Sequence, residues 1–381
     1  MRLGTDLRDP QVPLARWQSV LLALHRVGMY NIVYFQDLRA AGAATPEIRS
    51  ALGCCLLKLD RGVYSVIRRC QVSSHRRFTR FALDEAWMDY HEAGRHRERS
   101  QQRKYREHLD RLRILHYPHY RPDDVVWGVS AARLHKLGTF DVPTQPVNVA
   151  HPVSSCRTGS LIRRRISVRT EDVSEVAGIR VTTPAKTALA LKTALGPAAA
   201  FAAMEQVLRW SLLGTDEEAI FKTGYPPQVM SLVHGAVDGL FGPPIARMSR
   251  GKKSARTLAA LITPLSESYA ESRASFNLHL LGLHDFVQQV DVKEGHRTLT
   301  RLDLLFEDGG VALYVDGTQK YVDGGFNVMN KESWQHNRLL SMGYKVIRFK
   351  FKEVMNVATF SRKLFDQAPE LKARCRKKLV L

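Results

Sequence analysis

Apolar residues recur at helical spacing through Trp17, Val20, Leu21, Leu24 and Val27, which predicts a first helix. A second helix, Phe35 to Ala40, stops at the Ala41-Gly42 turn. Thr45-Pro46-Glu47 supplies an N-cap, a proline at the first helical position and an acidic first turn. It predicts a third helix running through Ile48, Leu52 and Leu56. Leu57 to Val66 then alternates as two half-strands about Asp60-Arg61-Gly62. Three short helices followed by a hairpin is the order a winged helix needs: its third helix can enter the major groove while the wing rests on the phosphate backbone.

The character changes after residue 74. Between His75 and Arg113, arginines alternate with Glu85, Glu92, Glu98, Glu107 and Asp110, and Phe78, Phe81, Ala82, Ala86 and Met88 give the first half an apolar face. Two readings stand, a solvated helix laced by i,i+4 ion pairs or a basic arm lying along DNA. From residue 121 the pattern is mixed. Val125 to Ser130 leads into a helix with Ala131, Ala132 and Leu134, strand-like runs follow at Val147–Val149, Ile166–Val168 and Ile179–Val181, and Thr183-Pro184 opens a long helical stretch, Thr187 to Trp210. Frequent Gly and Pro between Leu213 and Lys253 predict a linker holding one short helix. The last segment reads as a helix (Ser268–Leu281), strands at Phe286–Val292, Leu299–Phe306 and Val311–Val315, a helix (Lys331–Met342) and a strand (Lys345–Phe351). That order is αβββαβ, with Val311–Val315 apolar enough to be buried on both faces. The expected fold class is therefore a multidomain α/β protein: a winged helix (1–74), a basic helical segment (75–120), an α/β middle domain (121–212), a linker (213–262) and an αβββαβ domain (263–381).

Charge narrows the function. The 381 residues carry a formal net charge of +20 and 44% are apolar. A folded protein with that excess of Lys and Arg calls for a polyanionic partner, because binding releases the counterions condensed on phosphates. A membrane is not expected: the longest apolar stretch, Thr187 to Met204, is broken by Lys192 and Gly196-Pro197. The start of the chain lacks an apolar signal core, so a cytoplasmic location is expected. The five cysteines include no Cys-x-x-Cys pair, which sets structural zinc aside. Cys54 and Cys55 are expected to pack as small apolar side chains in a reducing compartment.

Candidate chemistry falls into two groups. Arg49 on the third helix and Lys58 and Arg61 at the wing are the candidate contacts to duplex DNA. In the last domain, Glu271 on a helix, Asp303 inside an apolar strand and Asp316 at the end of the next strand are candidate metal ligands and catalytic acids. Hard carboxylate oxygens suit Mg²⁺, which would polarise a phosphodiester and activate water. Lys320 could stabilise charge on the phosphate. His135 is expected to be a hydrogen-bonded structural residue, and Lys372 to Lys378 a solvated basic tail.

Two resemblances sharpen this. Ser268-Tyr269-Ala270-Glu271-Ser272-Arg273, Gly282-Leu283, Gln289, Arg301-Leu302-Asp303, Asp316-Gly317-Thr318-Gln319-Lys320-Tyr321, Arg338, Gly343 and Arg348 resemble, in order and spacing, the PD-(D/E)XK endonuclease-like domain related to very-short-patch-repair nucleases. Leu52 to Tyr64 resembles the winged helix of the AbiEi family of type IV antitoxins. Ser130-Ala131-Ala132-Arg133-Leu134-His135, together with Gly178 to Thr187, resembles the domain that accompanies it. The resemblance implies DNA binding in a bacterial defence or regulatory setting, with a toxin as a possible protein partner. One position departs from the nuclease pattern: where Glu-x-Asp-Gly is expected, the chain has Tyr314-Val315-Asp316-Gly317. A protonated phenol does not replace a carboxylate on Mg²⁺ at neutral pH. Both a catalytically silent DNA-binding domain and an active Mg²⁺-dependent nuclease using Glu271, Asp303 and Asp316 remain open at this point.

Overall fold

In the computed structural model, which describes residues 29–96, 99–140, 142–216, 218, 220, 224–316, 334–376 and 378–379, the first regular element is Ile32–Tyr34 (β1). Three residues are too few for alternation to register; antiparallel pairing with Val63–Val66 (β3) makes the strand. The predicted Trp17–Val27 helix lies outside the described residues. Helices Phe35–Ala40 (α1) and Thr45–Ala51 (α2) follow. α2 begins one residue earlier in its cap than expected: the Glu47 carboxylate accepts the Ala44 N–H at 2.7 Å, and Pro46 sits in the first turn. It also ends early. Leu52 is extended and Gly53 turns the chain at φ +73°, so Leu56 opens a strand, Leu56–Asp60 (β2), rather than closing a helix. Apolar residues four apart suit a helix face and also the two sides of a turn, so spacing alone misplaced the switch. The sheet order is β1-β3-β2.

The stretch read as either helix or arm is helical, in Glu85–Glu92 (α3) and Arg99–Leu115 (α4). Trp87 and Leu112 bury against Leu59 and Val63 of the hairpin, and the Trp87 indole N–H donates to Ser65 Oγ at 2.7 Å. Arg113 pairs with Asp110 at 3.6 Å, and Arg133 reaches Glu107 at 3.0 Å.

A six-stranded mixed sheet comes next, in the order β6-β7-β5-β4-β9-β8. Its strands are Val125–Val126 (β4), Val147–His151 (β5), Cys156–Arg157 (β6), Leu161–Arg165 (β7), Val173–Val176 (β8) and Ile179–Thr182 (β9). Helix Gly128–Leu134 (α5) packs Ala131 and Leu134 onto Val126, Val149 and Val181. The strand expected at Ile166–Val168 lies instead at Leu161–Arg165. Three consecutive arginines hid it from a hydrophobic reading. Arg163 points inward, and its Nε and Nη2 donate to the two oxygens of Asp124 at 2.7 and 2.6 Å.

The chain forms two compact units: the first runs to His135 and resumes over Pro143–Thr182, and the second takes Lys136–Val142 and the residues from Thr183 onward. In the second, the single helical stretch expected from Thr187 is two helices, Pro184–Leu195 (α6) and Pro197–Leu213 (α7), parted at Gly196 with φ +91°. The expected linker carries two helices, Val229–Ala246 (α8) and Lys252–Ala259 (α9). Val237, Phe241 and Ile245 recur every fourth residue and are buried, so tertiary packing outweighs the helix-weakening glycines. Then come Tyr269–Leu281 (α10), Val287–Glu294 (β10), Arg297–Phe306 (β11), Val311–Asp316 (β12), a helix over 334–341 (α11) and Lys345–Lys350 (β13). The sheet is β10-β11-β12-β13, antiparallel except for the β12–β13 pair. Leu278 of α10 packs with Leu304, Phe306, Val311, Leu313, Ile347 and Phe349. Phe351–Met355 (α12) and Val357–Gln367 (α13) complete the unit. The expected basic tail is partly tied down: Arg374 Nε donates to Asp285 at 2.9 Å, and the Arg376 N–H donates to the Gly282 carbonyl at 2.8 Å. Gly282 has φ +84°, and a Cβ there would overlap the Arg376 carbonyl oxygen.

The Asp124–Arg163 pair is buried, with side chains 1% and 4% exposed. Burial opposes the charge on Asp124, but the Arg163 hydrogen bonds and the Arg121 N–H hold its carboxyl below the ordinary 3.8. Asp124→Ala should destabilise the fold by about 3–5 kcal/mol, because it leaves a buried guanidinium uncompensated. The double change Asp124→Leu with Arg163→Met should recover much of that loss. The carboxylate's contribution is present above the unfolded pKa and lost as pH falls through the folded one, so urea denaturation should show wild type, but not the double variant, losing it below about pH 4.

Candidate nucleic-acid interface

Arg49, Lys58 and Arg61, expected from sequence to touch DNA, line one open cleft of about 1350 Å³ in the first unit. That exceeds the roughly 300–1,000 Å³ usual for small-molecule sites. α2 contributes Thr45, Ile48 and Arg49, which share a face by the i, i+3, i+4 rule, and the extended Leu52 follows at its C-cap. Ile48 is buried beneath while Arg49 is exposed. The hairpin supplies Lys58 from β2 and Arg61 from its turn, where Gly62 at φ +75° closes the loop. The remaining lining comes from the segment Leu115–Asp124 and from Gly178–Arg180, the end of the β8–β9 turn and the start of β9. Ala177 and Gly178 both have positive φ there, and the tight turn brings Arg180 to the cleft.

The charges of this cleft are lopsided. Arg49, Lys58, Arg61, Arg121 and Arg180 line it, against one acid, Asp124, whose two oxygens are taken by Arg163. Arg180 Nη1 donates to the Pro122 carbonyl at 2.9 Å, and Arg121 Nη1 to Ser154 Oγ at 3.2 Å. Each bond fixes a guanidinium through one donor of five and leaves the others for a phosphate. Tyr34, Phe35, His116 and Tyr120 add aromatic surface; the Tyr34 hydroxyl lies 3.2 Å from His116 Nδ1. Arg121, His116 and Arg180 escaped the sequence reading, because nothing in their local pattern links them to a hairpin so far away along the chain.

The acids of the C-terminal sheet are arranged differently. The β11–β12 ladder pairs Leu304–Phe306 with Val311–Leu313 and goes no further; beyond it Asp303 Oδ2 accepts the Val315 N–H at 2.7 Å. The cost of an acid in an apolar strand is thus met by a backbone donor. Glu271, buried in the first turn of α10, accepts from Ser268 Oγ at 2.7 Å, from the Glu267 N–H at 2.9 Å and from Gln289 Nε2 at 2.9 Å. Gln289 has φ +53°, a left-handed conformation uncommon outside glycine. Burial, and then the nearby Asp303 charge, push the Glu271 carboxyl up to about 8. Asp316 meets Arg348 at 2.8 Å. That guanidinium also lies 4.9 Å over the Tyr314 ring, whose hydroxyl is 3.0 Å from Thr300 Oγ1. Lys320 lies outside the described residues.

These donors fit Mg²⁺ poorly. Asp316 is engaged by a guanidinium, and Tyr314 stands where the nuclease pattern has a carboxylate. Among the described residues, the group of three or more His, Cys, Asp or Glu side chains whose donor atoms converge is Cys54, Cys55, Cys70 and His75. His135 is hydrogen-bonded: its Nε2–H donates to the Thr182 carbonyl at 2.7 Å, and burial lowers its pKa.

The Glu271 shift has a testable sign. The folded chain keeps that proton well above the ordinary 4.5, so its stability is full at low pH and declines as pH rises toward the folded value. Melting curves should show wild type losing stability relative to Glu271→Gln between about pH 5 and about pH 8. Parallel pH profiles would contradict the assignment.

Residues 125–218 match the family model of the AbiEi antitoxin C-terminal domain. The matched span begins at β4, takes in α5 and ends after α7, and it contains Ser130–His135 and Gly178–Thr187. No curated protein and no solved structure matches the chain. Among the described residues no helix is long and apolar enough to cross a membrane. What this part of the chain resembles is thus an AbiEi-type antitoxin domain, set within a longer α/β protein.

Proposed function

We propose that the protein binds duplex DNA through the cleft bounded by α2, the β2–β3 hairpin and the segment Leu115–Asp124, and acts as an antitoxin-like regulator in bacterial defence. The observation that carries this reading is the convergence of Arg49, Lys58, Arg61, Arg121 and Arg180 around a single, internally neutralised acid. None of Arg49, Lys58 and Arg61 forms an ion pair among the described residues, so binding a phosphate breaks no existing bridge. α2 and the hairpin stand in the helix-then-wing order that suits a major groove with flanking backbone. The family match supports the antitoxin setting, in which a cognate toxin is the expected protein partner.

In this reading the C-terminal domain keeps the αβββαβ order of a PD-(D/E)XK nuclease but grips DNA without cutting it. Tyr314 and the Arg348–Asp316 pair support that. The proximity of Glu271 and Asp303 keeps one rival worth testing, Mg²⁺-dependent hydrolysis by Glu271, Asp303 and Asp316.

Binding of a duplex by wild type and by the variant Arg49→Ala/Lys58→Ala/Arg61→Ala tests the first claim. The variant should bind every sequence more weakly, with a log–log salt slope shallower by about 3. An unchanged affinity and slope would refute the interface. Incubation with Mg²⁺, Mn²⁺ or EDTA beside Asp303→Ala tests the second. No cleavage is expected from wild type; metal-dependent cleavage abolished in Asp303→Ala would establish the nuclease instead. If only the missing carboxylate silences the site, Tyr314→Glu should gain activity.

A further inference from the structure

The sequence has no Cys-x-x-Cys pair, yet the fold gathers three cysteines and a histidine beside the end of α2. We propose that Cys54, Cys55, Cys70 and His75 bind one Zn²⁺ ion. Their four donor atoms all lie within 4.8 Å of one another. Cys54 Sγ is 3.6 Å from Cys70 Sγ, and Cys70 Sγ is 3.5 Å from His75 Nδ1. A tetrahedron with Zn–S bonds of about 2.3 Å has edges of about 3.7 Å, so two of the edges already have the length a bound ion requires.

Adjacent residues of a strand point to opposite faces, and two neighbouring cysteines could not then share a metal. Here Cys54 and Cys55 sit in the turn that follows α2, entered through Gly53 at φ +73°. Cys70 comes from the segment after β3, and His75 from the short helix Ser73–Phe81.

The histidine tautomer is fixed by its neighbours. The single hydroxyl proton of Ser50 goes to the Glu47 carbonyl at 2.9 Å. Ser50 Oγ, 2.9 Å from His75 Nε2, must therefore accept, which puts the ring proton on Nε2. The lone pair of Nδ1 then faces the sulfurs. A hydrogen bond on the far nitrogen is the usual way a ligating imidazole is oriented. Without metal, the Cys70 thiol donates to that lone pair; with metal, each thiol releases its proton to solvent as the Zn–S bond forms. Zn²⁺ with three thiolates carries one net negative charge, and Arg68, whose Nη2 lies 3.2 Å from Cys54 Sγ, is placed to balance it. The ion would clip the end of α2 to the chain beyond the wing. This holds whether or not the cleft binds DNA.

The test is elemental analysis of the full-length protein purified under reducing conditions and incubated with ZnSO₄, then desalted. Wild type, and Cys156→Ser as a control, should retain about one equivalent, as a closed four-ligand site does. His75→Ala should lose it and His75→Cys should keep it, a rescue that a purely packing role for the ring would not produce. Co²⁺ should give the visible and thiolate charge-transfer bands of a tetrahedral site in wild type, Cys156→Ser and His75→Cys but not in His75→Ala, and a chelator should lower the wild-type melting temperature. Zinc at background in wild type, or equal retention by His75→Ala, would overturn the proposal.

Discussion

Asp124 and Arg163 are buried together in the floor of the first unit, each satisfying the other through two hydrogen bonds. The pair ties the segment ahead of β4 to β7, and the Arg121 N–H joins it at the same carboxylate, 2.9 Å from Oδ2. This fixes one side of the basic cleft. It also consumes the one acid that lines it among the described residues, so the five surrounding cations have no other counter-charge in the described lining. Such an arrangement costs self-repulsion in the free protein. In the proposed DNA-binding reading, phosphates would relieve that repulsion and make the affinity depend on salt.

The helix, helix and hairpin order over Phe35–Val66 and the C-terminal αβββαβ order were legible because their elements are short, strongly patterned and punctuated by turn residues. α1, the β2–β3 hairpin and α10 with its Ser268 cap stand where the pattern put them. The failures have separate physical causes. Leu161–Arg165 was missed because its inward residue is an arginine, made tolerable by Asp124. One short helix is expected between Leu213 and Lys253 rather than the eighteen residues of α8 because Gly and Pro weigh against a helix locally, while Val237, Phe241 and Ile245 stabilise it through tertiary packing. β1 and the early end of α2 depend on pairing and on one left-handed glycine.

Site residues divide along the same line. Arg49, Lys58 and Arg61 could be named because a helix and a hairpin turn predict where cations face. Arg121 and Arg180 could not, since only the folded sheet carries them to the cleft. The three acids were found by motif, but their chemistry was not in the motif. Glu271 is held by burial and by Asp303, and Asp316 by Arg348, a partner that parallel β12–β13 pairing sets beside Tyr314. The cysteine–histidine cluster is the clearest case of chemistry assembled by topology rather than spacing.

Hydrogen–deuterium exchange of the full-length protein with and without a duplex tests the central claim most directly, because it reads where DNA lies without altering a residue. Protection concentrated in Thr45–Gly62, Leu115–Asp124 and Gly178–Arg180 is the predicted result. Protection absent from those three segments while DNA is bound, or confined to the C-terminal unit, would contradict it.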